Sequence, residues 1–222
     1  MCAHYFAPPT FEALNAAFGL TLAAPLGRTD MWPGYEGVFI RRHPHADVGD
    51  DAVPAMEAVS GQWGLIPHWS KDGKVRNTFN ARSETADTKP SFRDAWARGQ
   101  RCIIPAVTVF EPDWRSGRAV SMGFSRIDGR PMGIAGLWSH WQSGGQTVQS
   151  FTMLTINADD HALMRHMHKP GEEKRMVVVL HENMVKAWLT APPHEAVRLM
   201  QPFPAEQMRM EPLEKSVPSL FE

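Results

Sequence analysis

Cysteine is nearly absent: the chain has two in 222 residues, Cys2 and Cys102. So few thiols exclude a disulfide-stapled secreted scaffold and fit a reducing compartment. No apolar run reaches the roughly 20 residues that a membrane-spanning helix needs. The opening MCAHYFAPPT lacks the basic n-region and apolar h-region of a secretory signal, and no lipobox precedes Cys2. The expectation is a cytoplasmic protein with no membrane partner. Net charge is small as well, −1 overall, which argues against a general nucleic-acid coat and confines any such contact to a local patch. Repeats, low-complexity tracts and linkers are missing, so a single domain over residues 2–222 is expected, with Met1 removed. Metal-ligand spacing is missing too. His166-x-His168 and His43-x-His45 are isolated pairs, and neither a metal nor another cofactor is expected.

What is present is an ordinary globular composition, 43% hydrophobic and 21% charged. Thr10 to Phe18 reads as a short helix, capped by Thr10 and stopped by Gly19. Tyr35–Arg41 reads as a strand. Ala55–Val59 and Gln62–Ile66 read as a hairpin around Ser60-Gly61. Pro67–Asn77 is a polar loop, and Pro90 opens the helix SFRDAWAR. Cys102–Phe110 reads as a buried strand, broken or bulged at Pro105. Ala119–Ile127 and Met132–Trp138 flank the hairpin signal Asp128-Gly129. Thr147–Ile156 and Met176–Leu180 are further strands, Asp159 is placed to cap a helix towards His168, and 182–189 and 194–200 read as helical. The last twenty residues carry few signals. Strands and helices do not alternate regularly, which disfavours a Rossmann-type sheet. The expected class is α+β, a single domain with a curled, barrel-like antiparallel β-core and peripheral helices.

Four stretches carry chemistry. Cys2 follows the initiator Met, and a small second residue allows Met removal. The mature chain would then present an α-amine and a thiol on one residue. An α-amine has a pKa of about 7.7–8.0, against about 10.4 for lysine, so near neutrality far more of it is nucleophilic. An aldehyde meeting this pair forms an imine and then a thiazolidine. Residues 71–101 hold eight Lys/Arg against four Asp/Glu, a net of +4 in a neutral protein, as phosphate contacts require. Trp63 and Trp69 nearby offer faces for an unpaired base. Glu111 ends the apolar strand VTVFE, where desolvation raises a carboxyl pKa and suits it to proton transfer. The segment RHMHKPGEEKRM supplies His166 and His168, natural proton shuttles.

The order and wording of Met1-Cys2, WGLIPHW (63–69), FNARSET (79–85), the Glu111 strand and His168…Arg175-Met176 resemble the SRAP family. These are the SOS response-associated peptidase proteins, whose better-described members process abasic sites. The resemblance runs from residue 2 to about Leu180. It implies a fold built around a small β-barrel. It also implies that Cys2 joins the open-chain aldehyde of an abasic deoxyribose in single-stranded DNA, with associated lyase activity and a role in the DNA damage or SOS response. Asn80 would orient the Cys2 amine or the sugar, Glu111 would handle protons, and His168 would shuttle them, with His166 a rival for that role. Arg82 would hold a phosphate and Trp69 would lie beside displaced bases. His4, Lys71, Lys74, Arg76 and Arg175 complete the expected DNA-binding set. The chain is expected to act as a monomer.

The sequence also departs from the family. It starts Cys2-Ala3-His4-Tyr5 where Cys-Gly-Arg-Phe/Tyr is usual, so His4 would be a weaker phosphate anchor when neutral. Met31-Trp32-Pro33-Gly34 stands where Asn-x-Ala-Pro is common, Phe110-Glu111-Pro112-Asp113-Trp114 replaces Tyr-Glu-Trp, and six residues separate His168 from Arg175. Two other readings stay open. One is a cysteine peptidase, including autoproteolytic removal of Met1. The other is a non-catalytic single-strand-binding module.

Overall fold

The computed structural model describes residues 2–20, 26–50 and 52–213. Strands β1 (Tyr5–Phe6), β2 (Asp30–Met31), β3 (Glu36–Arg42), β4 (Met56–Trp63), β5 (Asn80–Arg82), β6 (Arg101–Ala106) and β7 (Thr108–Asp113) fill the first half. Strands β8 (Val120–Arg126), β9 (Met132–Ser143), β10 (Gln146–Asn157), β11 (Arg175–Val177), β12 (Val179–Leu180) and β13 (Met208–Pro212) follow. Helices α1 (Phe11–Phe18), α2 (Arg93–Ala97), α3 (Val185–Thr190) and α4 (Pro193–Ala196) are short. The first helix begins as its residues dictate: Thr10 Oγ1 accepts from Ala13 N, and Gly19 ends it in the left-handed region at φ 65°.

Strands β10, β4, β3, β6 and β9 pair in a closed ring, since β9 also pairs with β10. This is the expected barrel, with one parallel step between β10 and β4. A second sheet runs β13-β8-β7-β1-β2. Phe39, Ile40, Ile103, Ile104, Ile134, Leu137 and Phe151 are all fully buried; neighbours such as Ile103 and Ile104 point to opposite faces of their strand, so the barrel wall is covered on both sides.

Several local expectations fail because tertiary pairing overrides a local signal. Ser60-Gly61 is no hairpin, because β4 runs straight through it. Gly61 is small because a Cβ there would lie 2.8 Å from the Phe39 ring and 3.0 Å from the Gln149 carbonyl. Asp128-Gly129 does turn, with Gly129 at φ 73°, but its flanking strands enter different sheets, β8 pairing with β7 and β13 while β9 joins the barrel. The break expected at Pro105 falls at Val107, whose N–H bonds the Phe6 carbonyl as the chain passes from barrel to second sheet. Pro105 sits within β6 opposite Gly133. Asp159 caps no α-helix, since its carboxylate is taken by Asn157 Nδ2 (2.8 Å) and Lys174 N (3.0 Å), and a single 3-10 turn, Met164–His166, follows. Met176–Leu180 divides at Val178, which bonds β10 through its N–H and β9 through its carbonyl.

Gly136, in the middle of β9, has the tightest surroundings of the barrel glycines. An added Cβ would stand 2.2 Å from Ile104 Cδ1 and 2.5 Å from the Thr152 carbonyl. The carbonyl belongs to a paired strand and cannot yield. Gly136→Ala is therefore expected to cost about 3 kcal/mol, a fall of roughly 6–12 °C in Tm for a domain of this size. A melting curve checks it.

Candidate active site

The N-terminus is built into the second sheet. Tyr5 pairs with Val109 of β7 on one side and Met31 of β2 on the other, and Phe110 N donates to the His4 carbonyl at 3.0 Å. This lays Cys2 beside β7, where it is fully buried, its Sγ–H donating to the His4 carbonyl at 3.4 Å. Asn80 starts β5, which runs parallel to β10 on the barrel side. Its Nδ2 crosses to the second sheet and donates to the Cys2 carbonyl at 2.6 Å. Its Oδ1 is buried and accepts no hydrogen bond among the described residues.

Glu111, in β7, is 3% exposed, and His168 Nε2 stands 2.9 Å from its Oε2. The two atoms are at ion-pair distance but not in good hydrogen-bond alignment. The loop carrying His168 is tied to the end of β7: Met167 bridges Asp113, and His168 N donates to the Pro112 carbonyl at 2.8 Å. His168 takes a left-handed conformation, φ 62°, unusual for a residue with a side chain, and this turns its ring inward. His166 is exposed, with its Nε2 against Arg165 Nε at 3.2 Å. Of the two histidines, the fold brings His168 to Glu111.

The Cys2 thiol pKa is pushed up to about 12, by burial first and by the nearby Glu111 carboxylate second. The sulfur is thus held as a neutral thiol, and the Glu111 contribution places Cys2 within the electrostatic reach of the Glu111–His168 pair. Cys102 and Tyr5, also fully buried, are shifted in the same direction by desolvation. A raised pKa lets the folded chain keep a proton that the unfolded chain releases. The associated stability is intact below pH 9, the ordinary value for a thiol, and is lost as pH climbs towards 12. Tm is expected to fall steeply above pH 9, and Cys2→Ser should make that fall shallower. Melting curves from pH 8 to 11 check the slope.

The other expected residues divide into two groups. Trp69, Lys71, Lys74 and Arg76 line one cleft of about 440 Å³ with Leu65 and Thr78. Trp69 is 52% exposed, and Arg76 pairs with Asp72 at 2.5 Å. The loop keeps its shape because Trp141 Nε1 donates to the Ser70 carbonyl at 2.8 Å and Gly73 lies flat on the Trp141 ring. Arg82 is exposed and pairs with Glu173 at 2.6 Å. His4 and Arg175 are buried instead. His4 lies between the rings of Trp32 and Phe110, with Nε2 2.8 Å from Asp30. Arg175, 2% exposed, bonds both Glu84 oxygens (2.8 Å each), Glu173 (2.7 Å) and the Thr155 carbonyl (2.6 Å). It locks the turn after β5 onto β11. Sequence reasoning missed these partners, Asp30, Glu84 and Glu173, because each lies far along the chain or in a loop with no period. The one usable clue was that an arginine at the start of an apolar strand needs a carboxylate.

A closed barrel flanked by a second sheet, with a buried Cys2 held by Asn80 beside a Glu111–His168 pair, defines a class. The family model described as SOS response associated peptidase (SRAP) matches residues 1–220, and the chain belongs to that family. Among its relatives are two from Bacillus subtilis (strain 168), both named abasic site processing protein. YoaM is 32% identical over 215 residues, covering 94% of this chain and 88% of its own. YoqW is 33% identical over 155 residues, 66% of this chain and 65% of its own. The abasic site processing protein HMCES of Gallus gallus is 24% identical, with 81% of this chain matched to 58% of the longer protein. A crystal structure of a Bordetella bronchiseptica protein superposes with TM-score 0.87 at 44% identity, over 96% of this chain and all of that one. A Bacteroides thetaiotaomicron protein at 22% identity shares the fold, with TM-score 0.77, over 96% of this chain and 92% of its own.

Proposed function

We propose that this protein captures abasic sites in single-stranded DNA by forming a thiazolidine between Cys2 and the sugar aldehyde, once Met1 has been removed. One observation carries the reading: Cys2, Asn80, Glu111 and His168, spread over most of the chain, meet at one place. In the reaction the Cys2 amine attacks C1′ of the open-chain sugar to give a carbinolamine. The hydroxyl then leaves as water, protonated by the Glu111–His168 pair, and an imine remains. The Cys2 sulfur adds to the imine carbon, its proton passes to the nitrogen, and the five-membered ring closes. The net change is loss of one water. Asn80 holds the Cys2 carbonyl, and its open Oδ1 suits the new α-amine or a sugar hydroxyl.

A thiol held neutral near pH 7 fits this order, in which nitrogen attacks first and sulfur still carries the proton it must give up. It does not fit a peptidase, whose nucleophile is a thiolate with a lowered pKa. From the imine, loss of a C2′ proton to the same pair would cleave the strand by β-elimination, the lyase activity. Trp69, Lys71, Lys74, Arg76 and Arg82 offer a face and cations to the strand, in line with a DNA-damage role. His4 and Arg175 serve this reading as supports rather than as phosphate anchors. The test is intact mass after incubation with abasic single-stranded DNA. The expected product is the chain without Met1 plus the strand minus one water. Salt-dependent binding with no adduct would overturn the chemistry and leave a binding module.

A further inference from the structure

The two departures from the family pattern nearest the nucleophile, His4 and the 31–34 segment, touch each other. Trp32, His4 and Phe110 form a three-layer stack, with ring centroids 4.2 Å apart at both steps and interplanar angles of 12° and 15°. The inner end is closed: Phe110 meets Phe6 edge-on, at 4.8 Å. The outer end is open. Trp32 is 43% exposed, and its ring contact among the described residues is with His4.

This outer ring is held in place before any ligand arrives. Trp32 Nε1 donates to Asp30 Oδ1 at 2.9 Å, the same oxygen that meets His4 Nε2. The turn behind it is fixed by Tyr35 N on the Trp32 carbonyl (3.0 Å), Gly34 N on the Trp63 carbonyl (2.7 Å) and Trp63 N on the Tyr35 carbonyl (2.9 Å). A pre-ordered ring loses little entropy on binding. Beside it stand Tyr35, 40% exposed, and Arg28, whose guanidinium lies 4.7 Å over the Tyr35 ring. Exposed aromatic faces with a cation alongside are what single strands use, stacking bases on rings. Asp30 and the exposed Glu36 make this patch a poor seat for phosphate and a better one for a base.

An abasic nucleotide has no base to grip, so its neighbours must supply the hold. We propose that the outer face of Trp32 receives the nucleobase next to the abasic sugar, as a fourth layer on the Trp32–His4–Phe110 stack. The inference rests on the abasic-site reading above. Position supports it: His4 is two residues from Cys2, and Phe110 is next to Glu111. The protein would then prefer an abasic site that keeps a base on at least one side.

The experiment places 2-aminopurine on the 5′ or the 3′ side of a tetrahydrofuran abasic analogue in a single strand. Wild-type protein should quench its fluorescence on one side. Trp32→Ala should lose that quenching and bind about tenfold more weakly, within the range for one stacked base, while Trp32→Phe keeps part of both. A matched melting curve guards against misfolding of an exposed-turn variant. In parallel, replacing the neighbouring base by a second tetrahydrofuran should slow adduct formation by wild type at a true abasic site, and leave Trp32→Ala unchanged. Equal quenching and equal neighbour dependence in wild type and Trp32→Ala would overturn the inference. Absence of any wild-type adduct on a denaturing gel would instead overturn the abasic-site reading itself.

Discussion

Cys2→Ser is expected to abolish the heat-stable DNA adduct, lowering its yield on the order of a thousandfold or more, as removal of a nucleophile does. Serine is as small as cysteine, so Met1 would still be removed and an α-amine would still be presented. The imine should therefore form and be trapped by borohydride, while the unreduced product hydrolyses. Denaturing gels with and without reductant separate the two steps. A variant that retains Met1 should give neither product, because its free amine is on the wrong residue and its Cys2 nitrogen is an amide. A heat-stable adduct from Cys2→Ser, or from a Met1-blocked chain, would rule out the thiazolidine.

The second large effect lies at the Glu111–His168 pair. Loss of a positioned acid–base group costs about 10²–10⁴-fold in rate, and Glu111→Gln and His168→Ala should each fall in that range. The pair sits at 2.9 Å in a buried setting, so the two losses should not add. The double variant is expected to be little slower than the worse single one. A structural role alone would not predict a second result. Glu111 is one cause of the raised Cys2 thiol pKa, so Glu111→Gln should lower it. The alkaline limb of Cys2 alkylation by a small reagent should move to lower pH, with burial still keeping it above the ordinary value. An unmoved profile would mean that the Glu111 charge does not reach the sulfur.

The residues proposed to do chemistry were legible in the chain because each has its own chemical reason. Cys2 stands where removal of Met1 would expose an amine, Glu111 ends an apolar run, and a histidine lies in a cationic loop. Trp69 and the cations at 71, 74 and 76 were legible as a patch, and they share one cleft. The α+β barrel could also be read, since short apolar strands without regular helix alternation leave few architectures. The turns were misread where a glycine served packing. Gly61 answers to Phe39 and Gln149 across the barrel, a demand with no local trace.

The sequence by itself determined the kinds of groups available and the curled β class, because both follow from residue type and from apolar runs bounded by breakers. The tertiary structure alone decided which histidine meets Glu111, because a left-handed His168 anchored on Pro112 turns inward while His166 stays outside. It also decided that His4 and Arg175 are buried. A charged or polar side chain reads as a ligand contact until its partner is known; Asp30 and Glu84 reach their partners from other elements of the fold, and Glu173, two residues before Arg175, joins Glu84 there.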